Sequence, residues 1–283
     1  MALELVSTAL ARAGYIAENE VTSLEAVING LRADSFDGSA ALWRSEEREQ
    51  FLLYSDAYLE NRLVLVGRKG SPVEASSFAE LSGKKIGVVA GYAYGPELDQ
   101  ATEPVFVRGV SSDENLRALL RGEVDYVLAD ALVVHHLAQD YPQQTREKLA
   151  TATKALIKRS LYFTLRKDLP DAQRIVDAFN KELREMLGDG SYHKALHVDW
   201  ISADVDGDGR LELVAAGEQV GAEAPTGGYQ PMGPEPENAS INPRFVVKGV
   251  SYDSWQAVPD DYKTSSNALG AKPTSLRASV FEF

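Results

Sequence analysis

Arg48 stands three positions after Ser45 in the stretch Leu42-Trp43-Arg44-Ser45-Glu46-Glu47-Arg48, just beyond the apolar run Ala40-Ala41-Leu42-Trp43. A guanidinium is always charged and meets a carboxylate with two parallel hydrogen bonds, so an arginine at the mouth of a strand is a place to hold one. The same residue also reads as a surface cation paired with Glu46, Glu47 or Glu49, and these residues alone leave both readings open. Asp130 follows the β-prone run Val124 to Leu128 after one residue, Ala129, and an aspartate there serves either as an acid for an ammonium group or as the N-cap of the next helix. The loop Gly91-Tyr92-Ala93-Tyr94-Gly95 opens toward a helix N-terminus, whose free N–H groups suit an anion, unless it is an ordinary strand-to-helix turn. Taken together the three supply an anion site, backbone donors and an acid, which is what a zwitterionic amino acid requires.

A second constellation lies at Asp204-Val205-Asp206-Gly207-Asp208-Gly209-Arg210-Leu211-Glu212. Carboxylates at positions one, three and five, glycine at six, a carbonyl at seven and an acid at nine match the oxygen spacing of a calcium loop. The spacing predicts structural Ca2+ held by Asp204, Asp206, Asp208, Glu212 and the carbonyl of Arg210. The usual glutamate at twelve is replaced by Ala215, so the loop resembles the shorter ones of dockerins or integrin-like repeats; the alternative is an acidic, solvated turn. His193 and His197 share helical spacing but lack a third ligand nearby, which argues against zinc. No nucleophile elbow, phosphate loop, dinucleotide fingerprint or internal repeat is present, and no catalytic residue or catalytic cofactor is expected.

The chain has 283 residues, 44% of them apolar and 25% charged, enough for about two globular domains. A formal charge of −13 argues against nucleic acid and anionic membrane as partners, because both require a basic face. With no cysteine there is neither a disulfide scaffold nor a thiolate site. No apolar run approaches the ~18 residues of a membrane span, and Met1-Ala2-Leu3-Glu4-Leu5 has no signal-peptide character.

These residues must be positioned by alternating helices and strands. Leu3, Val6, Leu10 and Ala13 predict an opening helix ending at Gly14, and Thr22-Ser23-Leu24-Glu25 caps a second one. Strands are predicted at Ala40–Trp43, Leu63–Val66, Ile86–Ala90, Val124–Leu128 and Leu161–Leu165. Helices follow Ser77, Ser111 and Asp130 and run from Asp171 to Leu187. The alternation predicts an α/β fold with mainly parallel sheets flanked by helices, whose ligands bind beyond the carboxyl ends of the strands. The expected organisation is lobe 1 from 1–67 and 167–203, lobe 2 from 68–166, the calcium-loop-like segment at 204–216, a linker at 217–242 and a small β-rich tail at 243–283. Phe245–Tyr252 reads as a hairpin there, and Trp255, Tyr262, Phe281 and Phe283 supply apolar mass.

Ser-Glu-Glu-Arg (45–48) followed by Tyr-Ser-Asp-Ala-Tyr (54–58) resembles a signature of the extracytoplasmic solute-binding proteins that deliver amino acids to ABC importers. Leu81-Ser82-Gly83-Lys84-Lys85-Ile86-Gly87-Val88, Gly122 to Asp130, and Gly188-Asp189-Gly190-Ser191-Tyr192 with Trp200 resemble that family in order and spacing, over residues 1–203. The resemblance implies a two-lobed, type II periplasmic-binding-protein fold. It also implies that Arg48 grips the ligand's α-carboxylate, that Asp130 pairs with its α-amine, and that Ala41, Trp43, Gly91 and Tyr92 line the pocket. An amino-acid-like ligand held in an interlobe cleft by hinge closure, an ABC permease as partner, a monomer, and periplasmic localisation follow as expectations. The chain departs from the family in lacking its signal peptide, first strand and aromatic loop, so that the sequence is either truncated or differently built at its start. It departs again at Trp43, where the family has a small hydroxyl residue. A dehydratase acting on prephenate or arogenate, or a sensor module, is the alternative on the same scaffold.

Overall fold

The computed structural model describes residues 1–205, 208, 210–217, 219–225, 228–231 and 244–263. They form two compact units, one of residues 1–59 and 161–263, the other of residues 60–160. In chain order the elements are α1 (Ala2–Arg12), α2 (Leu24–Arg32), β1 (Gly38–Trp43), α3 (Glu46–Glu49), β2 (Leu52–Tyr54), β3 (Leu59–Arg68), β4 (Lys85–Val89), α4 (Pro96–Asp99), β5 (Val105–Gly109), α5 (Ser112–Leu120), β6 (Tyr126–Asp130), α6 (Ala131–Asp140), α7 (Pro142–Lys148) and β7 (Leu149–Arg166). They continue with α8 (Ala172–Asp189), α9 (Ser191–Leu196), β8 (Trp200–Ala203), β9 (Glu212–Ala215), β10 (Phe245–Val247) and β11 (Val250–Tyr252). The chain passes between its units at residues 59–60 and 160–161, within β3 and β7.

In the first unit α1 buries Leu5, Val6, Ala9 and Leu10, and it packs against α8 and α9. Arg12 at its last turn holds Glu182 at 3.1 Å and Asp189 at 2.6 Å. Ser23 caps α2, its hydroxyl accepting from the Ala26 amide, and Val27, Ile28 and Leu31 pack with Leu42, Leu52 and Tyr54. Strands β1 and β2 both pair antiparallel with the last part of β7, Gly38 opposite Leu165 and Tyr54 opposite Thr164. The register of β1 slips between Ser39 and Leu42, a bulge that leaves Ala41 exposed in the strand.

The second unit carries the order β7-β3-β6-β4-β5. Its β4 runs parallel to β5 and β6, but β6 runs antiparallel to β3, with Leu63 opposite Asp130. The sheets are therefore mixed, because β3 and β7, the strands in which the chain changes units, run against their neighbours β6 and β1. Ser111 caps α5, its Oγ accepting from the Glu114 amide, and the Glu114 carboxylate accepts from the Val110 amide, one residue before the cap. The segment after Ser77 is a short 3-10 turn rather than an α-helix. Strand β6 starts at Tyr126, two residues later than its apolar pattern suggests. Asp125 turns its carboxylate onto the Lys85 amide at 2.8 Å, which holds the approach to the strand and leaves Asp130 as the strand's last residue.

A further sheet in the first unit has the order β11-β10-β9-β8. Phe245–Tyr252 is a hairpin, and Phe245 pairs with Leu213 of β9, so the β-rich tail shares a sheet with strands beginning at Trp200. Leu213, Ala215, Val220, Phe245, Val247 and Val258 form its core, covered by Trp200, Tyr252, Trp255 and Tyr262. Phe281 and Phe283 lie outside the described residues, as do 218, 226–227 and 232–242 of the linker. None of the described helices is long and apolar enough to cross a membrane.

Candidate functional site

In the first unit Ser45 caps the short helix α3, its Oγ accepting from the Arg48 amide at 3.4 Å. That turn folds the Arg48 side chain inward, to 9% exposure, where Nη1 donates to the Trp43 carbonyl at 3.1 Å. Two of the nearby glutamates are engaged elsewhere, Glu47 with Arg32 and Glu49 with Arg44 at 2.9 Å. Among the described residues no carboxylate lies within ion-pair distance of Arg48. A cation taken this far out of water costs several kcal/mol unless an anion meets it. Tyr54 sits beside it: burial pushes the phenol's pKa up, and the Arg48 charge draws it partly back. Arg44 lies over the Tyr54 and Tyr162 rings at 5.0 and 5.3 Å. The Trp43 indole is buried, so this residue meets Arg48 through its carbonyl.

In the second unit Asp130 closes β6 and opens α6, its Oδ1 accepting from the Leu132 amide at 2.8 Å. Its Oδ2 is out of water and makes no hydrogen bond of good geometry among the described residues. Burial raises the Asp130 pKa, an effect that the Asn61 side chain and the amides of Leu132, Val133 and Arg62 only partly offset. No lysine or arginine forms an ion pair with it among the described residues. Tyr92, 41% exposed, feels both burial and the Asp130 charge, each raising its hydroxyl pKa. Gly91, with φ +77°, starts the turn that carries Tyr92. The structure thus brings Gly91, Tyr92 and Asp130 into one unit, and Ala41, Trp43 and Arg48 into the other. Tyr54 and Asn61 escaped sequence reasoning: an alternating strand residue and an uncharged amide carry no pattern that separates them from scaffold.

Of the calcium-loop residues, Asp204, Asp208, Arg210 and Glu212 are described; Asp206, Gly207 and Gly209 lie outside the described residues. The segment links β8 to β9. Glu212, 2% exposed, accepts from the Val205 amide at 3.1 Å, and Asp208 accepts from the Arg210 amide at 2.8 Å. Arg244 lies 3.6 Å from Asp208 and 3.7 Å from Glu212. Among the described residues no three metal-ligating side chains converge. His193 is buried in α9 with both ring nitrogens unbonded among the described residues.

Two α/β units joined through two strands, each carrying a buried charge without an oppositely charged side-chain partner among the described residues, define a protein of the two-lobed solute-binding class. The chain belongs to the bacterial extracellular solute-binding proteins, family 3, whose model matches residues 1–203. It is 31% identical over 162 residues to the L-cystine-binding protein TcyJ of Escherichia coli, covering 57% of this chain and 58% of that protein. It is 27% identical over 205 residues to the L-cystine-binding protein TcyA of Bacillus subtilis, 72% of each chain. The fold matches AbpA, an amino acid ABC transporter substrate-binding protein of Streptococcus pneumoniae solved with L-arginine. There the TM-score is 0.59 at 19% identity, over 69% of this chain and 81% of that one. These relatives are named as binding proteins.

Proposed function

We propose that this protein captures an amino acid outside the cytoplasm, in the periplasm or its equivalent, and delivers it as a monomer to an ABC permease. One observation carries the reading: among the described residues Arg48 is buried with the Trp43 carbonyl as its side-chain hydrogen-bond partner and no carboxylate within ion-pair distance, Glu47 and Glu49 being paired with Arg32 and Arg44. Such a guanidinium suits a ligand carboxylate, with two parallel charge-assisted bonds. Asp130, helix-capping yet without a cationic partner among the described residues, suits the ligand's ammonium group. Ligand-driven hinge closure belongs to this proposal, and strands β3 and β7 are the segments in which it would act. The names of the relatives make L-cystine the first ligand to try, followed by arginine and lysine. Calorimetry with L-cystine and the common L-amino acids tests the reading; binding of none of them would refute it.

We also propose that residues 204–212 hold a structural Ca2+, with Asp204, Asp206, Asp208, Glu212 and the Arg210 carbonyl as ligands. The sequence spacing supports this, together with the placement of Asp208 and Glu212 around one cationic group, that of Arg244. An ion bound only by the folded form raises stability. Melts with calcium should therefore exceed melts with chelator, and Asp206→Ala should remove the difference. Identical melts in wild type would leave only an acidic turn.

A further inference from the structure

The loop that carries Tyr92 is fastened from a distance. Gly91 and Gly95 both have left-handed backbones, φ +77° and +86°, so the five-residue turn between them has little stiffness of its own. Tyr94, 2% exposed, ties one end: its hydroxyl accepts from the Val89 amide at 2.8 Å, and burial pushes its pKa up to about 12. The other end is held by Arg159 of β7. Its Nη2 donates to the Tyr94 carbonyl and to Glu97 Oε2, while Nη1 reaches Glu97 Oε1 at 3.3 Å and the Lys158 carbonyl at 2.7 Å. The guanidinium lies against the Gly95 Cα so closely that a Cβ there would fall 2.1 Å from Nη2. Glu97 lies in the first turn of α4, and Arg159 draws its pKa below the usual carboxylate range. Arg159 sits two residues before the point at which β7 enters the other unit.

We infer that Arg159 is a positioning residue for ligand capture: with Glu97 it fixes the Gly91–Gly95 turn, and thereby holds Tyr92 beside Asp130 before any ligand arrives. This rests on the amino-acid-binding reading above. Without the clamp, the turn samples other conformations, and only the competent fraction binds, so the apparent Kd rises by the inverse of that fraction.

The probes are L-cystine and L-arginine in calorimetry, with amide hydrogen exchange on the ligand-free protein. Arg159→Ala should weaken binding of whichever probe the wild type takes by roughly tenfold and speed exchange of the Tyr92–Leu98 amides, leaving those of β4 and β6 unchanged. Arg159→Lys should recover part of both. Glu97→Ala should act in the same direction, and the double variant should be no worse than Arg159→Ala, since both remove one clamp. Gly95→Ala, which crowds the guanidinium and strains the turn, should reproduce the exchange signature. Faster exchange throughout the second unit would make Arg159 a general stabiliser and overturn the inference, as would unchanged affinity and unchanged loop exchange. If the wild type binds neither probe, the exchange experiment alone decides the clamp, and the amino-acid reading fails separately.

Discussion

The two candidate anchors are built in opposite ways. Arg48 reaches its position on a long side chain from a one-turn helix, and its charge is permanent; Asp130 is a short side chain locked at a strand end that is also a helix cap, and its charge depends on pH. Arg48 is buried and Asp130, half-buried as a residue, has its Oδ2 out of water, yet only the acid can shed its burial penalty by taking up a proton. The cationic anchor should therefore demand an anion at every pH, and the acidic anchor should demand a cation only when ionised.

The largest expected effect comes from the permanent charge. If Arg48 holds the ligand carboxylate as proposed, Arg48→Ala should weaken amino-acid binding by about 2–5 kcal/mol. Arg48→Lys should recover only part, since an ammonium cannot form the parallel pair of bonds. Calorimetry reads both, and unaltered affinity in Arg48→Ala would end the role assigned to it.

Asp130 separates charge from capping. Asp130→Asn keeps an oxygen for the Leu132 amide and loses the charge, so it should weaken amino-acid binding by less than Arg48→Ala does and leave α6 intact. Because burial raises the carboxyl's pKa, the native state binds more protons than the unfolded chain between the ordinary aspartate value and the raised one. Stability contributed at this site rises as pH falls through that window. Asp130→Asn should therefore be more stable than wild type at pH 7 and lose that advantage on acidification. Urea titrations at several pH values check the sign; a less stable Asn variant at pH 7 would contradict it.

His193 provides the inverse case. Burial lowers its pKa to about 4, so below the ordinary histidine value the unfolded chain takes up a proton that the native state refuses, and stability falls from about pH 6.5 toward 4. The full shift corresponds to about 3 kcal/mol as an upper bound. Asp189 is the charged neighbour that moderates it. His193→Phe should flatten the pH dependence in that window, read by the same titrations, and an unchanged slope would show the ring to be solvated.

The difference between the anchors also explains what the sequence could reveal. The Ser45-to-Arg48 spacing was readable because one helical turn brings both residues to the same cap, and Asp130 because an apolar run ends at it. The alternation of elements gave the α/β class, since buried strands and capped helices leave periodic patterns. The antiparallel course of β3 left no such mark, because a strand buried on both faces has the same composition in either direction. Nor did the sharing of one sheet by β9 and β10, whose pairing joins segments about thirty residues apart. The sequence also could not say whether Arg48 faced its neighbouring glutamates. That was decided by Arg32 and Arg44, which claim Glu47 and Glu49.

The most direct test compares one amino acid that binds with two analogues, the amine lacking its carboxylate and the N-acetylated acid, in wild type, Arg48→Ala and Asp130→Asn. If Arg48 and Asp130 take opposite ends of one zwitterion, wild type should bind only the intact amino acid with measurable affinity. Each variant should lose most of its preference for the end it no longer recognises. Equal binding of the amine by wild type, or unchanged affinity for the intact amino acid in both variants, would contradict the account.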